Sequence, residues 1–170
     1  MKWIKDQLVN WQLRKLLKKV SKESQEVKIR SNIQTIGILA SSLEEYEEAK
    51  ASIRTQWGLK VRIIAYFYTP EKVELNEGIN HTHFTWSGLP SAYFNEFLDE
   101  PLDFILVSAS KLNPYMRYLL LRKQASFKVG FFSEESKPYL DLMLAFDPNK
   151  RLSENLNLVI QYLLKIKQAC

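Results

Sequence analysis

The chain has 170 residues, of which 46% are hydrophobic and 25% charged, and this composition excludes a disordered or fibrous chain. Its formal net charge of +5 is uneven, because residues 1–30 hold nine Lys/Arg against three Asp/Glu, whereas residues 31–170 hold 15 against 16. No basic face is therefore expected on the body of the protein, and nucleic acid is not expected as its partner.

The first 30 residues predict a basic N-terminal helix and a linker ahead of a single α/β domain at residues 31–170. Residues 2–22 have helical periodicity, and a polar, charged break follows over residues 21–32. Every predicted strand lies after this break. We therefore expect residues 31–170 to fold without the N-terminal segment.

Strands and helices alternate through the body. Residues 33–40 form a short β-branched run typical of a buried strand, and a helix follows over residues 43–57. Ser42 and Glu45 have capping-box spacing at its start, and Gly58 is its predicted end. The later predicted elements are strands at 61–68 and 81–86, a helix at 91–98, a strand at 102–108, a helix from N-cap Asn113 and Pro114 to near 125, strands at 127–132 and 139–146, and a last helix capped by Ser153.

This alternation predicts an α/β fold, a three-layer Rossmann-like sandwich with a mainly parallel sheet of five to six strands and an extra N-terminal helix. The expected strand order is 3-2-1-4-5, with strand 6 at an edge. The connection before strand 6 is too short for a helical crossover, which leaves an antiparallel orientation open for that strand.

A ligand crevice is expected at the carboxyl ends of strands 1 and 4, where the strand order reverses. Its predicted lining is polar, uncharged and rich in hydroxyl groups. The candidate residues are Ser41, Ser42, Ser108, Ser110 and Gly130, the last with the rest of residues 130–133 near the end of strand 5. By sequence, the only charged candidates near them are Lys111 and Asp147.

A nucleotide or another phosphate-bearing cofactor is not expected in this crevice. Glycine-rich phosphate-binding patterns do not occur in the sequence, and four glutamates in the first two turns of the following helix would repel an anion. Ser42 is sufficiently explained as a helix N-cap.

The two histidines, His81 and His83, would point to one face of strand 3 and could contact the same metal ion. Two ligands do not make a zinc site, so we expect no bound zinc or iron. If strand 3 is parallel, the histidines lie at the opposite end of the sheet from the serines, which disfavours a catalytic triad. Asp103 and Asp141 each begin an apolar strand and are expected to cap nearby backbone groups.

The N-terminal helix changes its apolar face along its length. Its first half clusters Trp3, Ile4, Leu8 and Trp11 on one side. Its second half clusters Val9, Leu13, Leu16, Leu17 and Val20 on nearly the opposite side. Our hypothesis is that the first cluster contacts a second copy of the chain or another protein. A bend near residues 10–12 that buries both clusters is the alternative, and a membrane contact is less favoured because basic and apolar groups follow one another along the helix.

Several short motifs carry a resemblance to a known family. They are Thr35-Ile36-Gly37-Ile38-Leu39, Trp86-Ser87-Gly88-Leu89-Pro90, Leu102-Asp103-Phe104-Ile105-Leu106, Ala125-Ser126-Phe127-Lys128-Val129-Gly130 and Tyr139-Leu140-Asp141-Leu142-Met143. With these motifs the chain resembles an uncharacterised bacterial domain family of about this length, over most of residues 1–168. The resemblance implies the α/β fold and no activity. A weaker likeness, confined to residues 104–130, is to the N-terminal half of heptosyltransferase-like glycosyltransferases, and it implies a solitary, inactive half.

These observations favour a non-enzymatic binding or protein-interaction module with a serine-lined crevice. The alternatives are an inactive relative of a glycosyltransferase domain and a weak binder of nucleic acid or anionic surfaces through the basic helix. A cytoplasmic location is expected, because the only cysteine is Cys170 and neither a secretory signal nor an apolar run of about 20 residues is present.

Overall fold

The structure, a computed structural model, describes residues 1–20, 29–71, 74–123 and 126–169. Within them, the helices are α1 (Lys2–Val20), α2 (Leu43–Trp57), α3 (Asn95–Asp99), α4 (Pro114–Arg122) and α5 (Leu152–Ala169). The strands are β1 (Thr35–Ala40), β2 (Arg62–Tyr68), β3 (Gly78–Ile79), β4 (Phe104–Val107), β5 (Phe127–Phe131) and β6 (Leu142–Leu144). Most of the predicted linker, the predicted helix end near 125 and Cys170 lie outside the described residues.

Side-chain caps fix where α2 and α4 begin. The Ser42 hydroxyl accepts a hydrogen bond from the Glu45 amide at 3.2 Å, and the Asn113 side chain accepts one from the Met116 amide at 3.0 Å. Both predicted N-caps are therefore confirmed. The predicted cap at Ser153 is wrong, because α5 already begins at Leu152 and the Glu154 carboxylate accepts from the Arg151 amide at 2.9 Å.

All six strands of the sheet are parallel, in the order β3-β2-β1-β4-β5-β6. The predicted α/β class, strand order and edge position of strand 6 are confirmed. The antiparallel alternative for β6 is wrong, because its Val129↔Leu142 pairing with β5 is parallel. Residues 132–141, which include the 3₁₀ helix Glu134–Ser136, carry the chain back to the amino end of β5 without a long crossover helix.

The third strand differs from its prediction at residues 81–86. It comprises only Gly78 and Ile79, and the residues His81–His83 form a 3₁₀ helix instead. The reason is a local cap, because the Asn80 side chain accepts from the Thr82 amide at 2.9 Å and His83 Nδ1 accepts from the Asn80 amide at 3.1 Å. Such side-chain bonds compete with strand pairing for the backbone.

Two hydrophobic cores sandwich the sheet. One face packs against α1, α3 and α4 and buries residues such as Leu39 and Ile105. The other packs against α2 and α5 and buries residues such as Ile38 and Leu106. The alternation of neighbouring residues between the two cores shows why these strands have continuous apolar sequences.

The helix α1 docks on α4 through the face predicted for its second half. Val9 and Leu13 are buried in the core, and the Tyr115 hydroxyl on α4 donates to the Asp6 carboxylate. Gly88 lies against the helix backbone with a φ of 76°, and a Cβ there would lie 2.8 Å from the Val9 nitrogen. The division at residue 30 stays a prediction, although a chain without α1 would lose these core contacts.

We expect the variant Leu13→Ala to lower the free energy of unfolding by about 2–4 kcal/mol, because it leaves a cavity between α1 and the body. The control Ile4→Ala removes an exposed side chain of the same helix and should cost less than about 0.5 kcal/mol. Urea denaturation of both variants measures the difference. Equal effects would contradict the docking of α1 through Val9 and Leu13.

Candidate functional site

The predicted serines lie together where the strand order reverses. Ser41 and Ser42 follow β1, and Ser108 and Ser110 follow β4, its direct neighbour in the sheet. The Ser108 amide continues the ladder by donating to the Leu39 carbonyl at 3.0 Å. The two loops therefore leave the sheet side by side, in the position at which α/β proteins bind ligands.

A carboxylate on α2 joins these two loops. One Glu45 oxygen accepts from the Ser41 amide at 2.7 Å and from the Ser41 hydroxyl at 2.5 Å. The other oxygen accepts from the Ser110 amide at 3.2 Å. The Ser108 hydroxyl donates to the Glu45 backbone carbonyl at 3.3 Å. An anion supplied by the chain thus binds amide groups of both loops.

A pocket of about 400 Å³ opens beside this carboxylate. Its lining includes three of the predicted serines. The lining residues are Ser42, Glu44, Glu45, Ser108, Ser110, Phe131, Phe132, Phe146 and Leu152. The prediction of an uncharged lining is wrong, because the first turn of α2 brings two carboxylates to the pocket, and sequence reasoning missed Phe146 and Leu152 among its apolar residues.

Two of the candidate residues do not line this pocket. Ser41 is not in its lining, and Gly130 is buried inside the sheet. A Cβ on Gly130 would lie 2.7 Å from the Val107 carbonyl oxygen, so the glycine permits β5 to pack closely against β4. The charged candidates Lys111 and Asp147 also lie outside the lining.

A hydrogen-bonded chain of side chains ties α2 to the loop before β3. Lys50 Nζ donates to the Tyr46 hydroxyl at 3.1 Å, and that hydroxyl donates to the Glu77 carboxylate at 3.3 Å. Burial raises the pKa of Tyr46, so its phenol stays protonated at neutral pH. These contacts hold the amino end of α2, and with it Glu44 and Glu45, in a fixed position.

The histidines lie elsewhere than predicted. They follow β3 and are therefore at the carboxyl edge of the sheet, not at the opposite end from the serines. His83 caps its own turn and packs on Tyr93 with a ring centroid distance of 4.5 Å. Burial lowers the pKa of the His83 imidazole. Across the described ranges, no cluster of three or more His, Cys, Asp or Glu side chains could hold a metal ion.

Asp103 and Asp141 repeat one arrangement at two places in the sheet. The Asp103 carboxylate accepts from the Thr35 amide at 2.8 Å while the Asp103 amide donates to the Thr35 carbonyl. The Asp141 carboxylate likewise accepts from the Lys128 amide at 2.7 Å while the Asp141 amide donates to the Lys128 carbonyl. The predicted capping role of both aspartates is confirmed, and both lie at the amino edge, away from the pocket.

The candidate contact residues of α1 lie on its outward side. Trp3 is 71% exposed, Trp11 49% and Ile4 46%, while Leu8 is partly buried. Trp86 is 61% exposed on the turn that packs against α1 at Gly88. We call the exposed apolar side chains of α1 and of this neighbouring turn the tryptophan surface: Trp3, Ile4, Trp11, Trp86 and Leu89.

The fold and the crevice define an α/β protein with a parallel sheet and a candidate ligand site where the strand order reverses. The chain belongs to the family of unknown function DUF6913, whose model matches residues 5–166. This match confirms the resemblance to a domain family without a known activity. No curated protein and no solved structure matches the chain, so the likeness to glycosyltransferases stays a prediction.

We expect the protein to lose stability as the pH falls below about 6.5, the ordinary pKa of an unfolded histidine. The pKa of His83 is lower in the folded state, so the unfolded chain binds the proton first and acid favours unfolding. Protonation of Nδ1 would also break its bond from the Asn80 amide. Chemical denaturation between pH 5 and 8 should show this dependence in the wild type and a weaker one in His83→Gln. The same pH dependence in both proteins would contradict this role of His83.

Asp103→Ala should lower the free energy of unfolding by about 2–4 kcal/mol, because it leaves the Gln34 and Thr35 amides without their acceptor. Asp103→Asn keeps an oxygen in that position and should recover at least half of the loss. Urea denaturation measures both. If Asp103→Ala unfolds like the wild type, the carboxylate does not stabilise the start of β1.

Proposed function

We propose that the protein is a non-enzymatic binding module whose crevice, between α2 and the ends of β4 and β5, takes a small ligand with an apolar body and a cationic polar group. The observation that carries this proposal is the Glu45 carboxylate. It binds the amides of Ser41 and Ser110, which are the groups that would otherwise hold a phosphate at this position.

The charge of the pocket supports this ligand chemistry. A phosphate would have to displace the Glu45 carboxylate from two loops and would meet a second carboxylate, that of Glu44. A protonated amine would instead be attracted to both. The aromatic wall, Phe131, Phe132 and Phe146, provides apolar area for the rest of the ligand.

The hydrogen bonds of the serines support binding over catalysis. The hydroxyls of Ser41 and Ser108 donate to acceptors on Glu45, and the Ser42 hydroxyl accepts from the Glu45 amide. A serine nucleophile needs a general base that is itself held in place by a third group. In the described residues these hydroxyls contact the start of a helix, and a sugar nucleotide, as in the glycosyltransferase alternative, would bring phosphate to the acidic pocket.

The test uses two small probes of the same shape and opposite charge. Phenethylammonium and phenylpropionate are titrated separately into isotope-labelled protein, and ATP is added as a phosphate-bearing probe. We expect the amine alone to shift the backbone amide signals of Ser108, Ser110 and Phe131, with millimolar affinity at the weak end of the small-ligand range. Shifts there with ATP or the carboxylate, or no shifts with the amine, would contradict the proposal.

Two variants of α2, each of which removes one negative charge, show whether the pocket carboxylate contributes to binding of the amine. Glu44→Gln removes a carboxylate from the lining and should weaken binding of the amine about threefold to tenfold. Glu47→Gln removes an exposed carboxylate from the same helix outside the pocket and should change binding less than about twofold. Equal effects would show that the amine responds to the overall charge of the protein and not to this site.

A further inference from the structure

The tryptophan surface holds three of the four tryptophans of the chain. Helix α1 supplies two of them, and the turn around Trp86 lies directly beside it, because the Gln12 side chain donates to the Ser87 carbonyl at 3.4 Å. Exposed aromatic side chains that cluster in this way mark contact surfaces. The crevice of the proposed function lies elsewhere, so this surface is a separate feature.

Basic side chains share the exposed side of α1 with the tryptophans. Lys15 Nζ lies 3.5 Å from the centroid of the Trp11 ring, and Lys5 Nζ lies 5.3 Å from that of Trp86. Arg14 and Lys19 are also exposed. Residues 1–20 carry six Lys/Arg against one acidic residue, Asp6, and that carboxylate accepts from Tyr115. The surface is therefore both aromatic and strongly positive.

The packing of α1 on the body decides which of its apolar and basic side chains are exposed together. In isolation, the apolar and basic groups of the helix do not form two opposed faces. In the protein, Val9 and Leu13 face the core, and the side that remains in solvent carries indole rings and cations together. The body holds this mixed side outward, because Lys5 Nζ donates to the His81 carbonyl at 3.2 Å and to the Phe84 carbonyl at 2.9 Å.

We propose that the tryptophan surface and the basic side chains of α1 bind an anionic lipid surface. Indole rings favour the boundary between headgroups and acyl chains, and lysine and arginine beside them favour anionic headgroups. A symmetric contact between two copies through this surface would bring two strongly positive helices together, which disfavours a homodimer here. The attachment is peripheral, since none of the helices in the described parts of the chain is long and apolar enough to cross a bilayer.

The experiment is co-sedimentation of the full chain with vesicles of phosphatidylcholine alone or with about 30% phosphatidylglycerol. We expect binding to the anionic vesicles to be at least about tenfold stronger and to fall steeply when salt is raised to about 0.5 M. Both Trp3→Ser/Trp11→Ser and Arg14→Gln/Lys15→Gln should weaken binding about tenfold, the first by removing apolar area and the second by removing charge.

The matched control is Leu59→Ser/Tyr162→Ser, which removes two exposed apolar side chains from a different part of the molecule. Its binding should stay within about twofold of the wild type. Circular dichroism confirms that each variant is folded. Binding that does not depend on phosphatidylglycerol, or that is unchanged in the tryptophan variant, overturns the proposal. So does a failure to bind vesicles combined with self-association, seen by light scattering, that the tryptophan variant abolishes, since the surface would then join two copies.

Discussion

The Glu45 carboxylate joins the two loops at the point where the strand order of the sheet reverses. The chain leaves β1 toward one edge of the sheet and returns at β4 to build toward the other edge, and Glu45 binds the loops that follow both strands. Glu45 accepts from an amide in each loop and lies in the first turn of α2, whose own start is capped by Ser42. One side chain therefore fixes the helix, the two loops and the charge of the pocket.

The same contact explains how far the site could be predicted from sequence. The Ser42 and Glu45 spacing indicates a capping box, and the order reversal places Ser108 and Ser110 nearby. A capping box would direct the glutamate to the amide of Ser42, whereas the structure directs it to Ser41 and across to Ser110, 65 residues away. These hydrogen-bond partners of Glu45 depend on how two loops pack in the folded protein, and a local sequence pattern does not show that packing.

The fold was predictable where each boundary has its own chemical signal. Ser42, Gly58, Asn113 and Pro114 are such signals, and the elements beside them begin and end where expected. The third strand lacks one, because two residues, Gly78 and Ile79, are too short to show a period of two, while the alternating run after them forms a capped turn. The orientation of β6 depended on the path of a ten-residue connection, whose length alone allows either direction.

The N-terminal helix combines a structural role and an exposed surface because its two faces are independent. Trp3, Ile4 and Trp11 remain exposed, so the alternative of a bend that buries both apolar clusters is wrong. The hydrogen bonds of Lys5 and the contact of Asp6 with Tyr115 hold the first half of the helix on the body even though its tryptophans lie in solvent. Polar contacts thus replace apolar burial as the anchor of this half. The indole rings are left free for a contact outside the chain, and their exposure does not weaken the attachment of the helix itself.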